Sequence, residues 1–421
     1  SEPVSDKKVE QGAQEEKTYI AVPYKERNDA KKLGAKWDAA AKSWYVSADT
    51  PRESIAKWLP ENIRAEDEQL PAMTPTSEFK EALESLGCVV DGAHPIIDGK
   101  THRITTDGDK RGEQSGFYVA HLDGHPAGYI KNNRTGEELK WKAKGYVLSP
   151  QEKAKLQAEA AEKLKQRELD TLETQNKAAD RVKKQQEKLT VPNEPTAYMK
   201  DKGIGIHEGV YTDSDKVKTY VPAYDAQGKQ WTMQYINDHG VKRFAKNSKK
   251  EGCFHVVGGM KALDQAQTLI IVEGYATAAS IAETMKLPVV AAFDSGNLVH
   301  VAESLREKFP DKPIVIAGDD DKDQEIKKKI NPGKQKAEEA ASLVNGVAVF
   351  PVFAPGEQTD NPKSFSDFND LATKSKLGAA AVKRQLKAVI DSQRTVEKTK
   401  SKVIQLNQDK NDMPKKKAAR I

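Results

Sequence analysis

An α/β fold, a small doubly wound parallel sheet with helices on both faces, is predicted for the second half of this 421-residue chain by three observations. Three βα units follow one another: residues 268–272 then 275–285, residues 288–293 then a helix after Asn297, and residues 313–317 then Gly318-Asp319-Asp320-Asp321. The strand segments are short, continuous apolar runs rich in β-branched residues, the pattern of strands covered on both faces. Acidic residues stand just beyond two of them, at the carboxyl edge where open α/β sheets bind ligands.

Taken in order, T-L-I-I-V at 268–272 reads as a buried strand, and Gly274 breaks it just after Glu273. The Ala-rich segment 275–285 has helical propensity, which places Glu273 at the strand-to-helix turn. Alternation beyond residues 313–317 sends Asp319 and Asp321 one way and Asp320 the other, so the first and third can converge on Glu273. Unit charges about 4 Å apart repel by roughly 4 kcal/mol at an effective dielectric of 20. Three carboxylates at that range either share protons or bind a hard cation, and all-oxygen ligation suits Mg²⁺ or Mn²⁺ better than zinc. Metal-assisted phosphoryl or nucleotidyl transfer is the chemistry implied. A solvated turn carrying helix caps is the bland alternative for Gly-Asp-Asp-Asp.

Glu273 after the first strand and Asp319-x-Asp321 after the third, with a βα unit between, resemble a Toprim domain. That resemblance implies a Toprim-type parallel sheet in which Glu273, Asp319 and Asp321 are the metal and acid/base residues. E-G-Y-A-T-A-A-S from Glu273, which includes Gly274, A-F-D-S-G-N-L with Asp294 and Asn297, N-P-G-K-Q-K-A from Asn331 and F-S-D-F-N-D-L from Phe365 resemble the plasmid and phage primase branch. In that branch the last segment closes the site, which makes Asp367, Asn369 and Asp370 supporting candidates, along with Asp320. Orientation of a metal-bound water or of a basic residue, and plain helix capping, both explain Asp367 and Asp370.

Composition bounds the rest. The chain is 37% hydrophobic with a mean hydropathy of −0.73, so much of it is solvated helix, linker or tail. With 68 basic and 63 acidic residues the net charge is only +5, and nucleic-acid binding has to rest on local patches. Cys88 and Cys253 are too few for a disulfide framework or a zinc ribbon, which fits a reducing cytoplasm. No apolar run approaches ~20 residues and no signal peptide opens the chain, so no membrane partner is expected.

Upstream, residues 1–16 read as a disordered arm and 17–62 as a small α+β module with strands near 19–24 and 43–46 and helices at 26–33 and 54–59. Gly34-Ala35-Lys36-Trp37-Asp38 and Trp44-Tyr45-Val46 resemble a module of conjugative-element proteins; Trp37, Trp44 and Trp58 read as its core rather than as base-stacking groups. A linker at 63–76 precedes a β-rich domain at 77–148. Its segments D-G-K-T-H-R, G-F-Y-V-A-H-L-D-G-H-P-A-G-Y-I and W-K-A-K-G resemble the amino-terminal part of the conjugative TraC primases. There His102, Arg103, Lys131, Lys140, Lys142 and Lys144 form either a phosphate-contacting face or a solvated sheet face. His102, His121 and His125 lack Cys or acidic partners at ligand spacing, so no zinc is predicted. Residues 149–190 lack an interior Gly or Pro after Pro150 and predict one long charged helix, about 60 Å at 1.5 Å per residue, serving as a spacer or coiled coil. Lys163, Lys165, Arg167, Arg181, Lys183 and Lys184 could alternatively track a nucleic-acid backbone.

Residues 191–262 predict a basic β-rich subdomain: strands at 220–224 and 231–236, turns at 225–228 and 237–240, then a lysine-rich stretch. W-T-M-Q-Y-I, G-V-K-R-F-A-K and G-C-F-H-V-V-G resemble the region upstream of Toprim in primases. The resemblance implies that Lys242, Arg243, Lys246, Lys249 and Lys250 face template and nucleotide, with Gln234 as a polar positioner; a solvated hairpin is the alternative. Gly203-Ile204-Gly205 lacks the rest of a dinucleotide or phosphate-loop fingerprint. The catalytic domain is placed at 263–375, a C-terminal helix at 376–394, and a charged, disordered tail at 395–421 with Lys415, Lys416 and Lys417. What the resemblance implies is a conjugative-plasmid DNA primase that makes short primers on single-stranded DNA from nucleoside triphosphates. Conjugation or replication proteins are its expected partners; it is cytoplasmic, and some members travel with the DNA into the recipient. A noncatalytic single-stranded DNA-binding accessory and a Toprim nuclease or topoisomerase-like enzyme are the alternatives.

Overall fold

A computed structural model describes residues 16–64, 74–144 and 150–411. The expected arm before Glu16, most of the linker at 63–76 and the lysines at 415–417 lie outside the described residues. Contacts divide the chain into two compact units, Ser1–Leu169 and Asp170–Ile421, with the boundary inside the long helix rather than at either end of it.

In the first unit, β1 (Lys17–Ile20), α1 (Arg27–Lys32), β2 (Lys36–Asp38) and β3 (Ser43–Ser47) form an antiparallel sheet in the order β1-β3-β2, closed by a 3₁₀ turn at Arg52–Trp58. Trp58 is buried and Trp44 half-buried, but Trp37 keeps 48% of its surface exposed. The reading of all three as core is therefore corrected for Trp37: β2 is an edge strand three residues long, and its tryptophan leans edge-on against Trp44. Farther on, α2 (Pro75–Ser85) packs on one face of a second sheet, the meander β4 (His102–Ile104), β5 (Gly116–His121), β6 (Ala127–Asn132) and β7 (Glu138–Lys142). Phe79, Leu83, Tyr118, Ile130 and Trp141 make that core. A Cβ at Gly128 would lie 2.6 Å from the Val119 carbonyl oxygen and 3.1 Å from the Phe79 ring, so the close approach of α2 requires glycine there.

The long helix α3 (Pro150–Gln186) is continuous, as expected, but it is not a free spacer. Ala154, Ala158 and Ala161, spaced as one helical stripe, pack against Tyr19 and Ala21 in the first unit. In the second unit Val182 packs against Tyr220 and Met233. Lys165 donates to the Lys17 carbonyl at 2.8 Å and Arg181 to the Lys246 carbonyl at 2.7 Å, so two of the candidate phosphate-tracking cations serve packing instead.

Within the second unit, α4 (Ala197–Lys202) leads into the antiparallel meander β8 (Tyr211–Thr212), β9 (Thr219–Tyr224), β10 (Gln230–Ile236) and β11 (Lys242–Phe244). Then come β12 (His255–Val257), α5 (Met260–Gln265), β13 (Leu269–Val272), α6 (Tyr275–Met285), β14 (Val289–Ala291), α7 (Leu298–Lys308) and β15 (Ile314–Ala317). The chain continues with α8 (Lys322–Lys328), α9 (Pro332–Leu343), β16 (Val347–Val349), α10 (Glu357–Asp360), α11 (Phe368–Thr373) and α12 (Gly378–Asn411). The five-stranded sheet runs β12-β14-β13-β15-β16, parallel except for β12.

Alternate strand residues build the two faces of that sheet. Ile270, Val272, Val315 and Ala317 meet the side chains of α6, α11 and α12, while Leu269, Ile271, Ile314 and Ile316 meet α7 and α9. Two features depart from the expected doubly wound unit. The antiparallel edge strand β12 was not predicted; it enters from the meander, where Phe254 and Tyr224 exchange both backbone hydrogen bonds. The disordered tail expected from residue 395 is corrected as far as Asn411, because α12 runs on without an interior Gly or Pro.

Candidate active site

Glu273 and Asp319 each stand at the end of a central, adjacent parallel strand, β13 and β15. Gly274 caps α6 immediately after Glu273, so the carboxylate is carried on a strand-to-helix turn. Burial and the nearby charges of Asp321 and Asp294 push the Glu273 carboxyl up to about 7, against the pull of Lys242. Asp319 is held well above the usual carboxylate range by burial and then by Glu273, Asp367, Asp321 and Asp370. One of its oxygens, Oδ1, is buried without a hydrogen-bond partner. Asp367, pushed up to about 6 by burial and by Asp370, is a further member of the cluster.

The three consecutive aspartates have different surroundings. Asp320 is buried, and its carboxylate accepts from Asn331 Nδ2 at 2.7 Å and from Gln358 Nε2 at 3.2 Å, with Lys334 Nζ at 3.7 Å. Asp321 Oδ2 accepts from the Gly333 backbone N–H at 2.7 Å, and Asn331 Oδ1 accepts from the Asp321 N–H at 2.9 Å. The start of α9 is thereby laid against the acidic loop. A Cβ on Gly333 would come within 2.5 Å of the Asp319 carbonyl oxygen and 2.9 Å of Asp321 Oδ2. Gly333→Ala is therefore expected to destabilise the protein by about 1–3 kcal/mol, the usual cost of forcing a methyl into a packed contact, as read from urea denaturation. Wild-type stability in that variant would mean that α9 shifts freely.

Several supporting candidates turn out to be fasteners. Asn297 is buried; its amide donates to the carbonyls of Cys253 and Ala292, both at 2.9 Å, and its oxygen accepts from the Gly252 N–H at 2.8 Å. Asp294 accepts from the Asn297 N–H and is ion-paired with Lys250. It follows Phe293, whose φ of 76° is unusual for a bulky residue and turns the chain at the exit of β14. Asn369 donates to the Lys202 carbonyl and to Ser280 Oγ, both at 2.8 Å, tying α11 to α4 and α6. Asp367 and Asp370 form a reciprocal capping box at the start of α11, and Lys374 lies 2.9 Å from Asp370.

Of the basic candidates, the structure brings Lys242 to the carboxylates. Lys242 keeps an exposed surface, and its ammonium is held below the usual lysine value by partial loss of water and by Lys202, against the pull of Asp367, Glu273 and Asp319. Pairing of Ile236 with Lys242 and of Gln234 with Phe244 places Lys242, Phe244 and Gln234 on one face of the meander. Gln234 is buried there, and its Oε1 lacks a partner. Arg243, opposite Tyr235, is on the other face. Lys249 lies 4.8 Å from the centre of the Trp231 ring, Lys250 holds Asp294, and Lys246 is exposed. Sequence reasoning passed over Lys202. Its position just before Gly203, the left-handed cap of α4, was the available signal, set aside with the incomplete Gly-Ile-Gly motif.

Among the described residues no group of three or more His, Cys, Asp or Glu side chains closes to metal-ligand spacing. Glu273, Asp319, Asp321 and Asp367 thus form a cluster coupled through their charges rather than a finished coordination sphere. The cluster nevertheless fits a hard divalent cation. Its donors are all oxygen, Asp319 Oδ1 has no internal partner, and the crowded carboxyls hold protons that a cation would replace.

Residues 268–378 match the Toprim domain, a class that binds divalent metal ions, and residues 17–60 match a domain of unknown function, DUF5710. A DNA primase TraC of Escherichia coli is 50% identical over a 452-residue alignment covering 94% of this chain and 42% of that protein. A second Escherichia coli DNA primase TraC is 49% identical over 441 residues, 91% of this chain and 30% of that protein. The chain therefore spans less than half the length of these curated relatives. Among solved structures, the Aquifex aeolicus primase with its zinc-binding and RNA polymerase domains is 17% identical and covers 75% of this chain and 85% of that one. The two superpose with a TM-score of 0.34.

Proposed function

We propose that this chain, a homologue of the TraC primases with a Toprim domain at residues 268–378, carries the primer-synthesising centre of a conjugative-element DNA primase. The observation that carries the reading is the convergence of Glu273, Asp319 and Asp321 on one sheet edge beside Lys242. Asp319, Asp321 and Glu273 would hold Mg²⁺ or Mn²⁺, which when bound offsets negative charge on the reacting triphosphate. Glu273, at the strand-to-helix turn beside Asp321, is the carboxylate that would take the proton of the attacking 3′-hydroxyl, as the Toprim resemblance implies. Lys242 and Lys202 supply positive charge for the triphosphate, while α9 and α11 hold the acidic loop and the closing segment in place. The template is single-stranded DNA, and the products are short primers on transferred plasmid DNA, in the cytoplasm of donor or recipient.

The test supplies unprimed single-stranded DNA, labelled nucleoside triphosphates and Mg²⁺ or Mn²⁺ to the chain. Short template-dependent products support the reading. DNA binding without products under either metal would point to an accessory role, and degradation of the template to a nuclease.

A further inference from the structure

The sheet β4–β7 in the first unit has one face under α2 and a second face that enters no hydrophobic core among the described residues. Strand register decides what lies there. Arg103 pairs with Phe117 and Phe117 with Lys131; Tyr129 pairs with Lys140; Ala127 pairs with Lys142. Directly paired residues point to the same face, so all of these side chains share the side opposite to buried Tyr118, Ile130 and Trp141.

The composition of this face is unusual for a solvated sheet, which normally carries polar residues outward. Its two central strands present aromatic rings: Phe117 and Tyr129 have centroids 5.9 Å apart, and the Arg103 guanidinium lies 5.9 Å from the centre of Phe117. The flanking strands carry exposed Arg103, Lys140 and Lys142, for which no acidic partner occurs among the described residues. Glu138 is the one acid in the register, and it is already engaged by Tyr129 Oη at 2.6 Å and Lys131 Nζ at 3.9 Å. His102 belongs to the other face, where it bonds Asp98 at 2.7 Å.

We propose that this open face is a single-stranded DNA platform on which bases stack against Phe117 and Tyr129 while Arg103, Lys140 and Lys142 contact phosphates. Flat rings bordered by cations accept a polyanion of planar groups without choosing a sequence. A folded acidic partner would use the cations but gains little from the half-exposed ring pair, whose planes are tilted by 46° to each other. The proposal rests on the reading that single-stranded DNA is the template, and adds a template contact lying outside the Toprim domain.

Anisotropy of a fluorescein-labelled dT oligomer, titrated with the full chain at several salt concentrations, tests it. Joint replacement of Phe117→Ala and Tyr129→Ala is expected to weaken binding roughly tenfold or more, given the usual contribution of base–aromatic stacking. Lys140→Ala with Lys142→Ala changes only exposed side chains and should lower the salt slope of binding by about 1.4, for two phosphates at about 0.7 each. An unchanged salt slope in the lysine variant overturns the proposal, even if the aromatic variant fails to fold. Primer synthesis by wild type together with wild-type oligomer affinity in every variant removes the platform and leaves the primase reading. Loss of oligomer binding in the variants of a chain that makes no primers does the reverse.

Discussion

Asp319→Asn and Glu273→Gln should each lower primer synthesis by about 10³-fold or more, with affinity for a single-stranded oligomer held within about twofold of wild type. The size follows from what an isosteric amide removes. Asp319 lies amid Glu273, Asp321, Asp367 and Asp370, so its replacement by an amide removes an ionisable oxygen donor from the centre of the carboxylate cluster that Lys242 faces. Removing one preorganised electrostatic contact from a reacting centre typically costs 10²–10³-fold, and under the proposed reading a ligand to the cation would be lost as well. The amides preserve volume, so packing around β13 and β15 is retained. Quantified primers on an unprimed template, with oligomer anisotropy alongside, decide the matter. Priming within tenfold of wild type in Asp319→Asn would remove Asp319 from the chemistry.

Stability should report the same cluster through pH. In the folded metal-free protein Glu273 is raised from 4.5 to about 7 and Asp367 from 3.8 to about 6. Below pH ~3 both folded and unfolded chains hold these protons, and the carboxyls carry no penalty. As pH rises toward 7 the unfolded chain ionises first, so the folded state loses stability across that window and the loss levels off above it. Asp319 acts in the same direction. A full contribution on the order of 3–4 kcal/mol is expected from Glu273 alone, since its carboxyl rises from 4.5 to about 7 and each tenfold change in proton affinity on folding is worth about 1.4 kcal/mol. Thermal unfolding in EDTA should therefore show wild type weakening from pH 5 to 7.5, Glu273→Gln weakening less, and added Mg²⁺ restoring stability at the upper pH. A Glu273→Gln protein less stable than wild type at pH 7.5 in EDTA would contradict this account of the cluster.

The legible part of this protein is local. T-L-I-I-V followed by Glu273-Gly274, and an apolar run followed by Gly318-Asp319-Asp320-Asp321, disclose a strand, its end and the direction of alternate side chains within a few residues, because the pleat has a period of two and glycine interrupts it. The same arithmetic separates Asp320, held by Asn331 and Gln358, from its neighbours. Helix α6 was likewise readable from its own composition, since Ala-rich spacing needs no distant partner to propose a helix.

What depended on distant contacts was not readable. Lys242 and Arg243 are adjacent in a basic run, and only the pairing of β11 with β10 turns one toward the carboxylates and the other away. Lys202, which sequence reading missed, reaches the site from α4, and Asn369 joins α4 to α11 across 167 residues; Asp367, on α11, was named only through the family resemblance. The length of α12 and the aromatic face of β5 and β6 are of the same kind: a helix end without Gly or Pro has no local stop signal, and Phe117 and Tyr129 look like core residues until the register shows which side α2 covers. Sequence by itself determined the order of βα units and the carboxylates at their ends, because backbone periodicity and glycine breaks act over a few residues. Tertiary structure decided which cations, caps and rings stand beside them, because strand register and helix docking join side chains that no local period relates.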